Sequence, residues 1–387
     1  MNKKELELYI HIPFCVRKCS YCDFLSAPAT EQTREAYMAA LFAEIGGRAK
    51  DYSDRTVTSI FIGGGTPSLL SGEQIGQLMD RIREQFAMAQ DAEITMEVNP
   101  GTASAEKLRN FYTAGINRLS IGMQSAQAEE LKNLGRIHDF EGFCQVYREA
   151  VEAGFTNINV DIMSGLPGQT LASYRDTLEK VLHLEPMPQH ISAYSLIVEE
   201  GTPFAAMAER GELPLPEEET ERAMYEETIE VLAKYGFHRY EISNYARDGY
   251  ECRHNVGYWI RRDYLGFGIG AASLIDNVRF QNEKSLGAYL AHPLESREEE
   301  QTLTVQDRME ETMFLGLRLT RGVSCVDFAE QYGRTVEEVY GEVIARNVAD
   351  GLLTVTERKE NQKKDRFLAL TKRGLDLSNY VVAQFLF

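Results

Sequence analysis

Apolar positions in the first two thirds of the chain follow two alternating rhythms. Short β-branched runs at Leu6–Ile12, Val57–Ile62, Ile94–Val98, Arg118–Met123, Asn157–Met163 and His190–Ile197 predict strands. Between them, Arg34–Ile45, Gln74–Phe86, Ala105–Ala114, Phe140–Ala153 and Tyr174–Leu184 carry apolar residues at helical spacing. Six strand–helix units predict a parallel sheet covered by helices. Such a sheet either curls into a partial barrel or stays open and doubly wound, and periodicity fits both. In both folds sites collect where strands end. Those positions are glycine-rich and polar here: Cys15–Cys22, Gly63–Pro67, Asn99–Pro100, Gln124 and Gly165–Gly168 follow the first five strands in turn.

The rhythm changes after Pro216. A long helix over Glu217–Tyr235 leads to Tyr240–Ala246 and the glycine-rich Tyr264–Ile275, and the polar His292–Gln301 reads as a linker. In residues 301–387, Met309, Met313, Phe314 and Leu317 share one helical face, and Val323–Tyr332 and Val336–Asp350 predict two more helices. Strands at Leu352–Thr356 and Arg366–Leu370 flank the charged turn Glu357–Asp365, giving a mostly helical unit that resembles a winged helix. The expected division is 1–235, 236–300 and 301–387.

Charge narrows the function. Lys+Arg 41 against Asp+Glu 59 in 387 residues leaves a net −18, which repels phosphate backbones and disfavours nucleic acid as a partner. The winged-helix-like unit has no basic run beyond Lys363–Lys364. Seven glutamates between Pro216 and Tyr235 read as the wet face of a helix. No apolar run approaches the roughly 20 residues of a membrane span. Glu5 and Glu7 interrupt the apolar N-terminal residues, so no secretory signal is expected and a cytoplasmic location is.

Three of the six cysteines fall within eight residues, Cys15-x3-Cys19-x2-Cys22, directly after a strand. Three thiolates so close can hold an iron–sulfur cube at three corners and leave one iron open. Zinc is the competing reading, and its fourth ligand would have to be His11, Cys252 or His254. Gly63-Gly64-Gly65-Thr66-Pro67 lets a ligand approach bare backbone, or simply turns the chain. It lacks the lysine and the glycine spacing of nucleotide motifs.

Taken in order, Tyr9-Ile-His-Ile-Pro-Phe-Cys15-x3-Cys19-Ser-Tyr21-Cys22, Gly63–Pro67, Glu97-x-Asn-Pro100 and Gly165-Leu-Pro-Gly168 resemble the radical S-adenosylmethionine superfamily, in the branch of oxygen-independent coproporphyrinogen III oxidase. The resemblance runs over almost the whole chain. It implies an α/β fold, a partial (β/α)6 TIM-like barrel, with a [4Fe–4S] cluster on Cys15, Cys19 and Cys22. It also implies S-adenosylmethionine held by Tyr9, Tyr21, Gly64, Gly65, Thr66 and Glu97. Gln124, Arg136 and Asp161 match positions of a second S-adenosylmethionine site; as residues alone they read equally as an ion pair and a strand-end cap.

Two features depart from the oxidase pattern. Phe24 stands where the oxidase carries a further cysteine, and only 14 residues precede Cys15. Both are similar to the heme-chaperone branch, the HemW-type proteins. So is His254-Asn255-x2-Tyr258-Trp259, in which a histidine could ligate heme iron and an aromatic pair could wall in the porphyrin. Cys252 is an alternative thiolate, and a buried polar turn anchored by Trp259 is the plain alternative. The implied activity is transfer of heme to an acceptor protein such as a membrane-bound respiratory cytochrome, with peripheral membrane association. Oxidative decarboxylation of coproporphyrinogen is the rival.

Overall fold

The computed structural model describes residues 4–295, 297–360 and 363–386. Six parallel strands, β1 (Lys4–Ile12), β2 (Arg55–Gly64), β3 (Ala87–Val98), β4 (Arg118–Gln124), β5 (Ile158–Ser164) and β6 (His190–Ser195), lie side by side in chain order. That order decides what periodicity left open. A doubly wound sheet reverses its strand order at a switch point, whereas consecutive order with helical crossovers is the arrangement of a barrel wall. The chain has the α/β fold of the radical S-adenosylmethionine type.

The wall does not stop at six strands. β7 (His238–Arg239) and β8 (Asn244–Ala246) extend it antiparallel beyond β6. At the other edge β9 (Tyr264–Phe267) pairs parallel with β1, followed by antiparallel β10 (Ala272–Ile275), β11 (Val278–Asn282) and β12 (Arg297–Thr302). The sheet therefore has 12 strands. The segment expected as a linker, His292–Gln301, instead contains most of β12. All six residues of β12 are exposed, so this edge strand carries no apolar alternation for sequence reading to find.

Along the central strands, alternate residues divide two environments. Leu6, Leu8, Ile10 and Ile12 of β1, Leu119, Ile121 and Met123 of β4, and Ile158, Val160 and Ile162 of β5 are essentially inaccessible and pack under the helices. Each such side chain contributes about 1.5–3 kcal/mol by leaving water. The residues between them face the other way and are polar: Glu7 and His11, Ser120 and Gln124, Asn159 and Asp161. The helices start at side-chain caps, with reciprocal capping boxes at Ser71/Gln74 and Thr170/Ser173.

Residues 303–386 carry a second apolar cluster, from Met309 to Phe385. Helices Val305–Gly316, Cys325–Tyr332 and Val336–Ala349 surround a small antiparallel sheet of β13 (Val323–Ser324), β14 (Leu353–Glu360) and β15 (Lys363–Leu370), ordered β13-β15-β14. The tip of the expected charged turn, Asn361–Gln362, lies outside the described residues. Among the described residues no helix is long and apolar enough to cross a membrane.

Candidate functional site

The cysteine loop leaves β1 and is fastened by backbone bonds. Cys15 N–H donates to Ala27 O (3.2 Å), Ala27 N–H to Pro13 O (2.9 Å) and Ser20 N–H to Leu134 O (3.0 Å). Cys15, Cys19 and Cys22 are free thiols, each half-buried, and all three line one cavity of about 320 Å³. Thr66 Oγ1 donates to Cys15 Sγ (3.4 Å) and Arg136 Nη1 to Cys19 Sγ (3.8 Å). Both donors are aimed at a sulfur that faces the cavity. Burial raises the Cys22 thiol, and the neighbouring Cys19 and Cys15 add to that rise. Among the described residues, no group of three His, Cys, Asp or Glu side chains gathers around a single point as one metal ion requires. Three thiols lining one cavity can serve as three corners of an iron–sulfur cluster.

Behind the thiols, the cavity wall is the polar face of the strands. Tyr21, Gly64, Gly65, Thr66, Glu97, Gln124, Arg136 and Asp161 all line it. Tyr9 does not. Its hydroxyl bonds His11 Nδ1 (3.0 Å), and Phe61, stacked beside it, takes the place on the wall. Glu97 Oε2 accepts from Gly64 N–H (3.0 Å); burial, with Asp161 nearby, pushes the Glu97 carboxyl up to about 8. Asp161 accepts from Asn159 Nδ2 (2.7 Å) and Ser120 Oγ (3.2 Å), and burial still holds it above its ordinary range. Gln124 sits at φ 69°, in the left-handed region that glutamine rarely adopts, beside a break in the β4–β5 register.

Glycine is required at positions 64 and 65 by packing alone. Gly64 has φ 109°, and an added Cβ would lie 2.5 Å from the His11 ring. At Gly65 it would lie 2.7 Å from Phe14 O and 2.9 Å from Ile12 O, the backbone that leads into the cysteine loop. These glycines therefore seat the loop as well as lining the cavity.

The segment from 252 to 259 is treated differently. Of His254, Asn255, Tyr258 and Trp259, only Asn255 lines the cavity. His254 is 1% exposed, with Nδ1 bonded to Ser59 Oγ (2.9 Å) and Nε2 to Tyr258 OH (3.0 Å). Burial pushes its pKa down to about 3, so its approach to Glu7 at 3.9 Å is not an ion pair at pH 7; Glu7, raised by burial, is paired with Arg262 instead (3.3 Å). Cys252 is fully buried, its Sγ donates to Glu93 Oε1 (3.5 Å), and burial raises it to about 12, so it is a thiol. Trp259 packs with Arg318 over its ring at 5.9 Å, and its Nε1 is buried without a partner.

Sequence reading missed most of the deeper wall: Arg118, Ser120, Asn159, Ser192 and Tyr194. The signal was present. Arg118-x-Ser120-x-Gly122-x-Gln124, Asn159-x-Asp161 and Ser192-x-Tyr194 alternate polar positions inside apolar strands at period two.

Comparison with known proteins agrees with this architecture. A family model for the radical SAM superfamily matches residues 9–181, and one for the HemN C-terminal domain matches residues 303–377. The chain is 38% identical over 385 residues to the heme chaperone HemW of Bacillus subtilis, covering 98% of both chains. It is 37% identical over 358 residues to that of Escherichia coli, covering 90% of this chain and 92% of that one. The structure of coproporphyrinogen III oxidase (HemN) from Escherichia coli, a radical SAM enzyme, is similar with a TM-score of 0.84 at 28% identity, covering 100% of this chain and 91% of that one.

Proposed function

The chain belongs to the HemW family of the radical S-adenosylmethionine superfamily, and from that premise we propose that it binds heme and hands it to an acceptor protein, a membrane-bound cytochrome being the expected class. The observation that carries this reading is the near-complete, end-to-end similarity to heme chaperones. Phe24, exposed on the cysteine loop where the oxidase pattern has a further cysteine, points the same way.

Family membership implies a [4Fe–4S] cluster and S-adenosylmethionine, and the donor set fits them. Cys15, Cys19 and Cys22 are the proposed cluster ligands, with Thr66 and Arg136 steadying two of the thiolates. The cluster, when bound, supplies an iron that the amino and carboxylate groups of S-adenosylmethionine can chelate. Glu97, Tyr21 and the backbone at 64–66 line the adjoining wall and offer polar contacts for the nucleoside and methionine. Gln124, Arg136 and Asp161 lie on the same wall and form the proposed second subsite.

For heme itself the proposed segment is His254–Trp259, which reaches the cavity through Asn255. Burial keeps the His254 ring neutral, the form that ligates iron. Both ring nitrogens are bonded, so ligation requires the contact at the ligating nitrogen, with Ser59 or with Tyr258, to open. The fold of the oxidase favours a second reading, decarboxylation of coproporphyrinogen. Heme titration of the cluster-loaded protein, beside an anaerobic assay for carbon dioxide release, separates the two. We expect stoichiometric heme binding and no turnover of coproporphyrinogen; repeated turnover would overturn the chaperone reading.

A further inference from the structure

Two of the buried arginines are paired. The guanidinium of Arg55 donates to Asp263 and Asp276, and that of Arg48 pairs with Glu44 (2.8 Å) and donates to Asn282 (2.9 Å). Arg118, at the start of β4, is the exception. It is 2% exposed, its Nε is buried with no partner, and no described residue hydrogen-bonds or ion-pairs with its guanidinium. The carboxylates near enough to be felt are already engaged. Glu93 accepts from Cys252 Sγ and from the backbone N–H groups of Arg253 (3.1 Å) and His254 (3.2 Å), and Asp161 is held by Ser120 and Asn159.

The fields of Cys252, Glu93 and Asp161 favour the charge of Arg118, yet its Nε has no hydrogen-bond partner, in a chain that gives its other buried arginines direct ones. Its placement supplies a reason. Arg118 lies at the opposite end of its strand from the cysteine loop, yet it lines the same cavity, with Ser120, Asn159 and Ser192 beside it. A guanidinium offers five N–H donors in a planar fork that matches a carboxylate.

We propose that Arg118 is the floor of the cavity and binds the carboxylate of a small-molecule ligand. The anion site follows from Arg118 itself; which carboxylate it receives rests on the function proposed above. Two sources carry that chemistry, the propionates of heme and the amino-acid carboxylate of a second S-adenosylmethionine, the carboxylate of the first being assigned to the cluster iron.

The test uses full-length, cluster-loaded protein, wild type against Arg118→Gln and Arg118→Lys. Each is titrated with heme, heme dimethyl ester and S-adenosylmethionine, and thermal unfolding is followed without ligand. In Arg118→Gln, affinity for the carboxylate-bearing ligand should fall about tenfold or more, the scale of one charge-assisted pair, with partial recovery in Arg118→Lys. A fall for heme but not for its ester assigns the propionate, and a fall for S-adenosylmethionine assigns the amino-acid carboxylate. The unliganded Tm should be unchanged or higher, because the partnerless Nε–H has been removed. Unchanged affinity for all three ligands overturns the proposal, and so does a lowered Tm, which would make Arg118 a structural counter-ion of Glu93 and Asp161. Failure of the wild type to bind heme would defeat the chaperone reading, and the S-adenosylmethionine titration would still decide Arg118.

Discussion

The cysteine loop after β1 and the helix Arg253–Trp259 carry the two motifs that stand out in the sequence, and the fold handles them oppositely. In the loop the reactive atoms are half-buried, free, and turned toward a cavity. In the helix the histidine is sealed, both its nitrogens are bonded, and Gly257 is needed because a Cβ there would run into the Glu7 carboxyl. Ligand-type residues are thus not equivalent to available ligands. A donor whose lone pairs are already used by hydroxyls has to be released before it can bind metal; a donor facing a cavity does not.

Breaking the loop should have the largest effect. Anaerobic reconstitution of the wild type should give about four irons per chain, and Cys19→Ala should lose the cluster and its brown colour. Retention of iron after replacement of all three cysteines would remove the basis of the contrast. Gly65→Val comes next. Its side chain would press on Phe14 and Ile12, so the expected result is displacement of the loop, with iron content and S-adenosylmethionine binding falling together. Loss of S-adenosylmethionine binding with a full cluster would instead make Gly65 a ligand contact only.

On the helix side, His254→Ala should remove the ring contacts of Ser59 and Tyr258 and lower stability by about 1–3 kcal/mol, measured by denaturant unfolding of the heme-free chain. The same variant should shift or abolish the Soret band on heme addition. An unaltered band with lowered stability would make the motif a packing device and move the heme elsewhere. The remaining test concerns pH dependence on the cavity side. The fold raises the Glu97 carboxyl from 4.5 to about 8, so the stabilising preference for its neutral form is complete below pH 4.5 and is lost as pH rises toward 8. Glu97→Gln should flatten the decline of Tm across that window, and an identical pH profile would show that cavity water already solvates the carboxylate.

Much of this was legible in one dimension. The six central strands and their helices follow from alternating apolar periods, because each strand buries one face under helices and that burial is written at every second residue. Cys15, Cys19 and Cys22 were equally legible, since ligands on one loop must be close in sequence. The edge strand β12 was not: with both faces wet, its residues record only solvent, and its backbone pairing with β11 leaves no side-chain trace. The inward positions Ser120, Asn159 and Ser192 were visible as a period-two pattern, but their convergence was not, because they come from three strands brought together only by sheet register.

What the sequence by itself determined is therefore local chemistry and local rhythm: which residues can ligate, which segments are strands, and which way their faces divide. The tertiary structure alone decided availability. The sequence marks His254 and Cys252 as ligand-type residues; only the fold shows that Ser59 and Glu93, far away in the chain, together with the neighbouring Tyr258, engage them. Arg118 read as one more strand residue until the fold enclosed its guanidinium with Nε lacking a hydrogen-bond partner. The physical reason is that burial and hydrogen-bond satisfaction are properties of a residue's neighbours, and in this sheet those neighbours can lie 195 residues away, as with Ser59 and His254, or 255, as with Glu7 and Arg262.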